Sequence, residues 1–278
     1  MICEIEGLPL HYYEIGTGKP ILILHGWGAN APVMSHRWER IVKWPDDIQR
    51  VYVDLPGHGR TPISTSVQSA DDMLRVIDQF TGEIFSGDNY LLLGYSYGGY
   101  IARGLVHRSA NKIDGVCMLV PVISADDTKR SPAIHEVFED DPELSHLIPH
   151  DSKDLFDLLT VRNEEILREW IGGTNVWVEA PGDIEFREEM RSDLSRYSLS
   201  FDVDDLSEPF QRPTLIVTAR QDNVLGYEDA WSIIGTYPRA TFALLNRTGH
   251  LLEDQDGNLA QLIHEWLVRV NKFQQKME

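Results

Sequence analysis

Short apolar runs alternate with segments of helical period over the first 120 or so residues and again beyond about residue 208. ICEIEG and LHYYEIG read as strands of an opening hairpin joined through Gly7 and Pro9. PILILHG and RVYVDLPG are continuous apolar runs ending in glycine, the pattern of strands buried on both faces. A helix fits between them over 34–42. Within 69–85, Met73, Val76, Ile77, Phe80 and Ile84 fall at i, i+3, i+4, i+7 and i+11, which predicts an amphipathic helix. The strand YLLLGY, a helix from about Tyr97 to His107 and the strand GVCMLVPV follow. PTLIVTARQD and ATFALLN resume the strand pattern with a helix predicted over YEDAWSIIGTYP between them. Leu259, Leu262, Ile263, Trp266, Leu267 and Val270 mark a final helix.

Such alternation implies right-handed βαβ crossovers and a mostly parallel sheet covered on both faces. The stretch 124–208 breaks it. Leu155, Leu158 and Leu159, then Ile166, Leu167 and Trp170, predict helical pieces, interrupted at Gly172-Gly173 and Pro181-Gly182. The expected organisation is a core of residues 1–123 and 209–278 with 124–208 as a mainly helical cap over the sheet. No internal repeat is visible.

Charge sharpens that division. The chain carries 44 acidic and 25 basic side chains, and 23 of the acids against 8 of the bases fall in 124–208. A surface of that sign repels phosphate backbones, so nucleic acid is not an expected partner, and a solvated face explains most of the charge. The N-terminus lacks a basic region followed by an apolar stretch, and no apolar run approaches the roughly 20 residues of a membrane helix. A cytoplasmic protein without membrane partners is the expectation. Cys3 and Cys117 show no metal-type spacing and read as reduced, structural thiols.

Gly94-Tyr95-Ser96-Tyr97-Gly98 fits G-x-S-x-G between a predicted strand and a predicted helix. A tight junction packed for structural reasons is one reading. The other is a strained turn that exposes Ser96 as a nucleophile, with the following helix directing N–H groups and its positive end at the site. HGWG at 25–28, directly after an apolar strand, and DLPGHGRTP at 54–62 complete an ordered set with this elbow. On these motifs the chain resembles the α/β-hydrolase family over nearly all its length, with Thr61 where serine is commoner.

A serine hydroxyl needs a base, and the base an orienting carboxylate. The family's chain order of serine, acid, histidine puts both downstream of Ser96. His107 and His264 fall in predicted helices; His135, His146 and His150 fall in the cap. His250, in NRTGHLLE after the last strand, is the candidate base. Asp222, in TARQDNVLG after the penultimate strand and 28 residues before His250, is the candidate acid. Asp126 is its rival, since some family members seat the acid after the earlier strand. Asp54 and Asp229 read as loop-structuring and helix-starting, and His25 and His58 as loop-ordering. The backbone amide of Tyr97, the residue after the nucleophile, is one expected oxyanion donor; the resemblance implies that of Trp27 as the second. Phe138, Phe156, Trp170, Trp177, Phe186 and Tyr197 pack the cap or line an apolar pocket.

These residues imply a serine hydrolase that cleaves small to medium carboxylic esters through an acyl-enzyme, without cofactor or metal. GTGK at 16–19 lacks the spacing of a phosphate loop, and no metal-type cluster appears. The serine argues against the aspartate-dependent dehalogenase and epoxide hydrolase branches. Carbon–carbon bond hydrolases of ring-cleavage products share the triad but commonly place Asn and Trp where this chain has Tyr95 and Leu251. Cofactor-free haloperoxidase or perhydrolase chemistry is a possible side reaction, and a non-catalytic binding protein of the same fold is the alternative from another class.

Overall fold

The computed structural model describes residues 1–147, 153–169, 172, 180, 182–253 and 256–276. The opening hairpin pairs β1 (Ile2–Ile5) with β2 (Leu8–Ile15) across a turn in which both Glu6 and Gly7 have positive φ, the backbone that matches the twist of antiparallel strands. There follow β3 (Lys19–Leu24), α1 (Ala31–Ile41), β4 (Ile48–Val53), α2 (Ala70–Ile84), β5 (Tyr90–Tyr95), α3 (Tyr97–Ser109) and β6 (Ile113–Leu119). Two further strands, β7 (Thr214–Ala219) and β8 (Ala240–Leu245), and the helix Asn258–Gln274 complete the core. The sheet runs β1-β2-β4-β3-β5-β6-β7-β8 and is parallel from β4 onward.

The continuous apolar runs have the expected cause. Leu22, Leu24 and Leu92 face one core with Met73, Ile77 and Ile101, while Ile21, Ile23 and Leu91 face the other with Trp38, Ile263 and Trp266. Helix starts follow local capping. Asn30 accepts from Val33 N at 2.9 Å, which begins α1 three residues before the apolar pattern does, and Ser69 caps α2 at Asp72 N.

The helix expected over YEDAWSIIGTYP is instead a short 3₁₀ segment, Asp229–Ile233. Its hydrogen bonds step by three residues, from Trp231 N to Glu228 O and from Ile234 N to Trp231 O. Asp229 does anchor this segment, by accepting from Ser131 N.

Between β6 and β7 the chain leaves the sheet. Its described elements include the helix Ile184–Ser192, a single turn Leu194–Tyr197, and a two-residue parallel pairing of Glu139–Asp140 with Val161–Arg162. Leu159, Val161, Ile166 and Leu167 form a small core of their own, closed by Phe138, Phe156 and Leu251. The segment is latched to the loops after β3 and β4. Asp183 N donates to Gly57 O at 3.0 Å, and Asn30 Nδ2 donates to Ala180 O at 2.9 Å. Trp170, Gly173, Trp177, Pro181 and His150 lie outside the described residues. No helix among the described residues is long and apolar enough to cross a membrane.

Candidate active site

The sheet order turns back around β3, which lies between β4 and β5, and the loops leaving the carboxyl ends of β3, β5, β7 and β8 converge beside it. That is where open α/β sheets hold ligands. These four loops carry Trp27, Ser96, Asp222 and His250.

Ser96 has φ 53° and ψ −116°, a left-handed backbone that costs a non-glycine residue roughly 1–3 kcal/mol. The surroundings impose it. Ser96 N donates to Leu119 O at 2.9 Å, while Ser96 O accepts from Gly99 N at 2.9 Å and Val122 N at 3.1 Å. The turn is also too close for side chains on either side: a Cβ on Gly94 would stand 2.4 Å from Gly98 O, and one on Gly98 2.3 Å from Leu24 O.

His250 Nδ1 lies 2.9 Å from Asp222 Oδ2, and its Nε2 lies 3.0 Å from Ser96 Oγ. A carboxylate only accepts, so Nδ1 carries the proton and Nε2 takes the hydrogen bond from the serine hydroxyl. Asp222 is fully buried, and its other oxygen accepts from Val224 N and Leu225 N, both at 2.9 Å. Asp126 does not reach this site. It caps its own turn at Thr128 N and pairs with Lys129.

Trp27 occupies a tight turn in which Ala29 N donates to Gly26 O at 3.1 Å and Gly28 has φ 79°, the glycine position of a type II turn. This turn abuts the serine, since a Cβ on Gly26 would lie 3.1 Å from Ser96 Cβ. Tyr97 opens α3, so its N–H belongs to the first-turn amides that lack an intrahelical acceptor. The Trp27 ring packs edge-on to Tyr97 at 4.8 Å and to Tyr197 at 4.9 Å.

The loop bearing His250 is clamped by Tyr95, Arg37 and Glu253, none of which the motifs mark for that role. Tyr95 donates its hydroxyl to His250 O at 2.7 Å, and Arg37 donates to Leu251 O and Leu252 O. Buried Glu253 accepts from Thr248 Oγ1, Gly249 N and, across the inserted segment, Thr160 N. The only local signal for Glu253 is a carboxylate three residues past the histidine. Tyr95→Phe removes the partner of a buried carbonyl and is expected to cost about 1–3 kcal/mol of stability. With His250 less firmly held, kcat should drop about tenfold, equivalent to ~1.4 kcal/mol, at nearly constant KM. Denaturant titration and steady-state kinetics read the two effects, and an unchanged kcat would remove Tyr95 from the positioning machinery.

His25 and His58 order the neighbouring loops and do not touch Ser96. His25 accepts from Leu55 N at Nε2 and therefore donates from Nδ1 to Gly26 O. Burial pushes its pKa down to about 4 and holds that of His58 low as well. Asp54 accepts from Ala31 N and Arg60 N, and burial raises its carboxyl to about 6. As pH falls below about 6.5, unfolded histidines take up protons that these two refuse, which destabilises the fold. Asp54 acts oppositely, because its folded carboxyl is protonated before its unfolded one. Two histidines outweigh one carboxyl, so unfolding free energy should fall by about 1 kcal/mol per unit between pH 6 and 5. Urea titrations at both pH values measure it; a rise on acidification would contradict the assignment.

A cavity of about 420 Å³ opens onto Ser96 and His250, walled by apolar side chains that include Val33, Met34, Leu159 and Leu225. Of the aromatic side chains expected at a pocket, Tyr197 lines it; Phe138 and Phe156 pack the insert, and Phe186 packs near Gly57. Among the described residues no group of three or more His, Cys, Asp or Glu is arranged to hold a metal.

Known proteins resemble this chain in sequence and in fold. Monoacylglycerol lipase ABHD6 of Homo sapiens is 26% identical over 274 residues, covering 92% of this chain and 77% of that protein. Pimeloyl-[acyl-carrier protein] methyl ester esterase of Vibrio campbellii is 32% identical over 117 residues, covering 42% of this chain and 41% of its own. Among solved structures, an alpha/beta superfamily hydrolase from Oenococcus oeni PSU-1 superposes with a TM-score of 0.82 at 26% identity, over 94% of this chain and 96% of that one. The model of the Alpha/beta hydrolase family matches residues 21–262, and the chain belongs to that family.

Proposed function

We propose that the protein is a serine hydrolase that cleaves carboxylic esters of small to medium size through an acyl-enzyme. The observation that carries this reading is the Ser96–His250–Asp222 relay, with both links at hydrogen-bond length and the serine on a strained elbow facing an apolar cavity. The ester-cleaving names of its relatives support the same reaction class. Ser96 Oγ attacks the ester carbonyl while His250 Nε2 takes its proton. Asp222 holds the imidazole in the required tautomer and stabilises the imidazolium. The amides of Trp27 and Tyr97 receive the tetrahedral oxyanion, each such donor lowering the barrier by roughly 2.7–4 kcal/mol. His250 then protonates the departing alcohol, and a water activated by the same nitrogen releases the acid. The segment 124–208 acts as a cap that shapes the acyl pocket.

Stopped-flow mixing with p-nitrophenyl esters tests the mechanism. A burst of nitrophenol equal to the enzyme concentration, followed by slower steady turnover, is expected where deacylation limits. Ester cleavage that does not acylate the protein would contradict it.

A further inference from the structure

The most acidic part of the chain presents arginines to the cavity. Arg130 and Arg191 both belong to 124–208, and both line the space above Ser96. They share one carboxylate: Arg130 Nη1 pairs with Asp127 Oδ1, and Arg191 Nη2 lies 3.5 Å from Asp127 Oδ2. Two guanidiniums against one carboxylate leave a local positive charge. Arg130 is held rigidly, donating from Nε to Ser124 O at 2.9 Å and from Nη2 to Ala125 O at 3.2 Å, with its side chain 5% exposed. Arg191 is 44% exposed and lies over the Tyr197 ring, with Cζ 5.8 Å from its centroid. Tyr197 in turn stacks on Tyr97 at 4.7 Å, the residue that follows the nucleophile. The positive charge therefore stands one aromatic ring away from the elbow.

The wall also carries Arg37, Glu253 and Glu169, so the positive excess is local to the Arg130–Arg191 pair and not a property of the whole cavity. Glu253 is engaged by Thr160, Thr248 and Gly249, and Arg37 adds a third guanidinium that donates to the backbone of the His250 loop. Glu169 is the other acid on the wall. A planar guanidinium with spare N–H donors, beside an apolar wall that slows screening, matches a carboxylate or phosphate oxygen pair.

We infer that the preferred substrates are esters bearing an anionic group distal to the scissile bond, received by Arg191 with Arg130 behind it. The inference rests on the ester-hydrolase reading and deepens it. Asp127 sets the strength of the site, because it neutralises part of the charge that the anion meets.

The test compares monomethyl esters of straight-chain dicarboxylic acids, over graded chain lengths, with methyl esters of uncharged acids of matched length. A parallel series carries a terminal phosphate in place of the carboxylate and separates the two kinds of anion. The ratio of kcat/KM, anionic over neutral, should be about tenfold at the favoured length for at least one anion, corresponding to ~1.4 kcal/mol. Arg191→Gln should bring that ratio toward one, whereas Asp127→Asn should raise it, and added salt should lower it. Opposite signs from two neighbouring substitutions are not what a general loss of packing gives. A ratio at or below one for both anions at every length, or equal shifts in both variants, overturns the inference while leaving ester hydrolysis intact. If no ester is turned over, the hydrolase reading fails instead. The anion site is still read by calorimetric titration of the Ser96→Ala protein with the same monoesters, where weaker binding than that of the neutral esters would refute it.

Discussion

Ser96→Ala is expected to lower kcat for ester hydrolysis by about a million-fold, since removing the nucleophile disables the whole relay at once. Whatever rate enhancement remains reflects binding and the oxyanion amides, roughly 10³–10⁴ over water. The fold should survive, because the turn is fixed by backbone bonds from Leu119, Gly99 and Val122 that the substitution leaves in place. Ser96→Gly separates function from stability further. Glycine adopts the left-handed backbone without the steric cost, so this inactive variant should gain about 1 kcal/mol relative to the native chain. Steady-state kinetics and thermal melts of the pair provide the comparison. A loss of activity matched by a loss of stability in both variants would mean that the elbow is only a structural junction.

Asp222→Asn should cost about 10⁴ in kcat with little change in stability. The structure dictates how the introduced amide must sit. Val224 N and Leu225 N both donate to Oδ1 of Asp222, so the oxygen stays on their side and the new NH₂ group faces His250 Nδ1. That nitrogen must then accept, which moves the ring proton to Nε2 and points a donor at Ser96 Oγ. The imidazole keeps its place but can no longer take the serine proton. If Asp126 were the acid, Asp126→Asn would show this loss and Asp222→Asn would not. With Asp126 turned toward Thr128 and Lys129, its replacement should leave kcat within about twofold, as is usual for surface positions.

Much of the core was legible because its signals are local. The runs through Ile21–Leu24 and Leu91–Leu93 are apolar at every position since alternate residues meet different cores. The periodic positions from Met73 to Phe80 all face inward, and Ser69 marks where their helix begins. The segment around Trp231 shows the limit of such patterns: it has helical composition, yet its hydrogen bonds step by three residues and not four. Inside 124–208, the pairing of Glu139–Asp140 with Val161–Arg162 is too short to leave a period in the sequence.

The site divides along the same line. Ser96, His250 and Asp222 stand out as candidates through a five-residue motif, loops after strands and the chain order of the family the sequence resembles, and the sheet brings them within hydrogen-bond distance. Their supports do not stand out. Tyr95 holds His250 across 155 residues, Arg37 reaches Leu252 across 215, and Glu253 meets Thr160 across 93. In the sequence Tyr95 is informative only for not being asparagine, yet its hydroxyl restrains the base.

A Ser96 hydroxyl activated by His250 reacts with electrophiles that mimic an acyl group. Labelling the folded protein with a fluorophosphonate probe, followed by mass mapping of the modified peptide, tests it most directly. One adduct per chain is expected, on Ser96, lost in Ser96→Ala and strongly slowed in Asp222→Asn. A folded protein that resists the probe, or labels equally after Ser96→Ala, would contradict it.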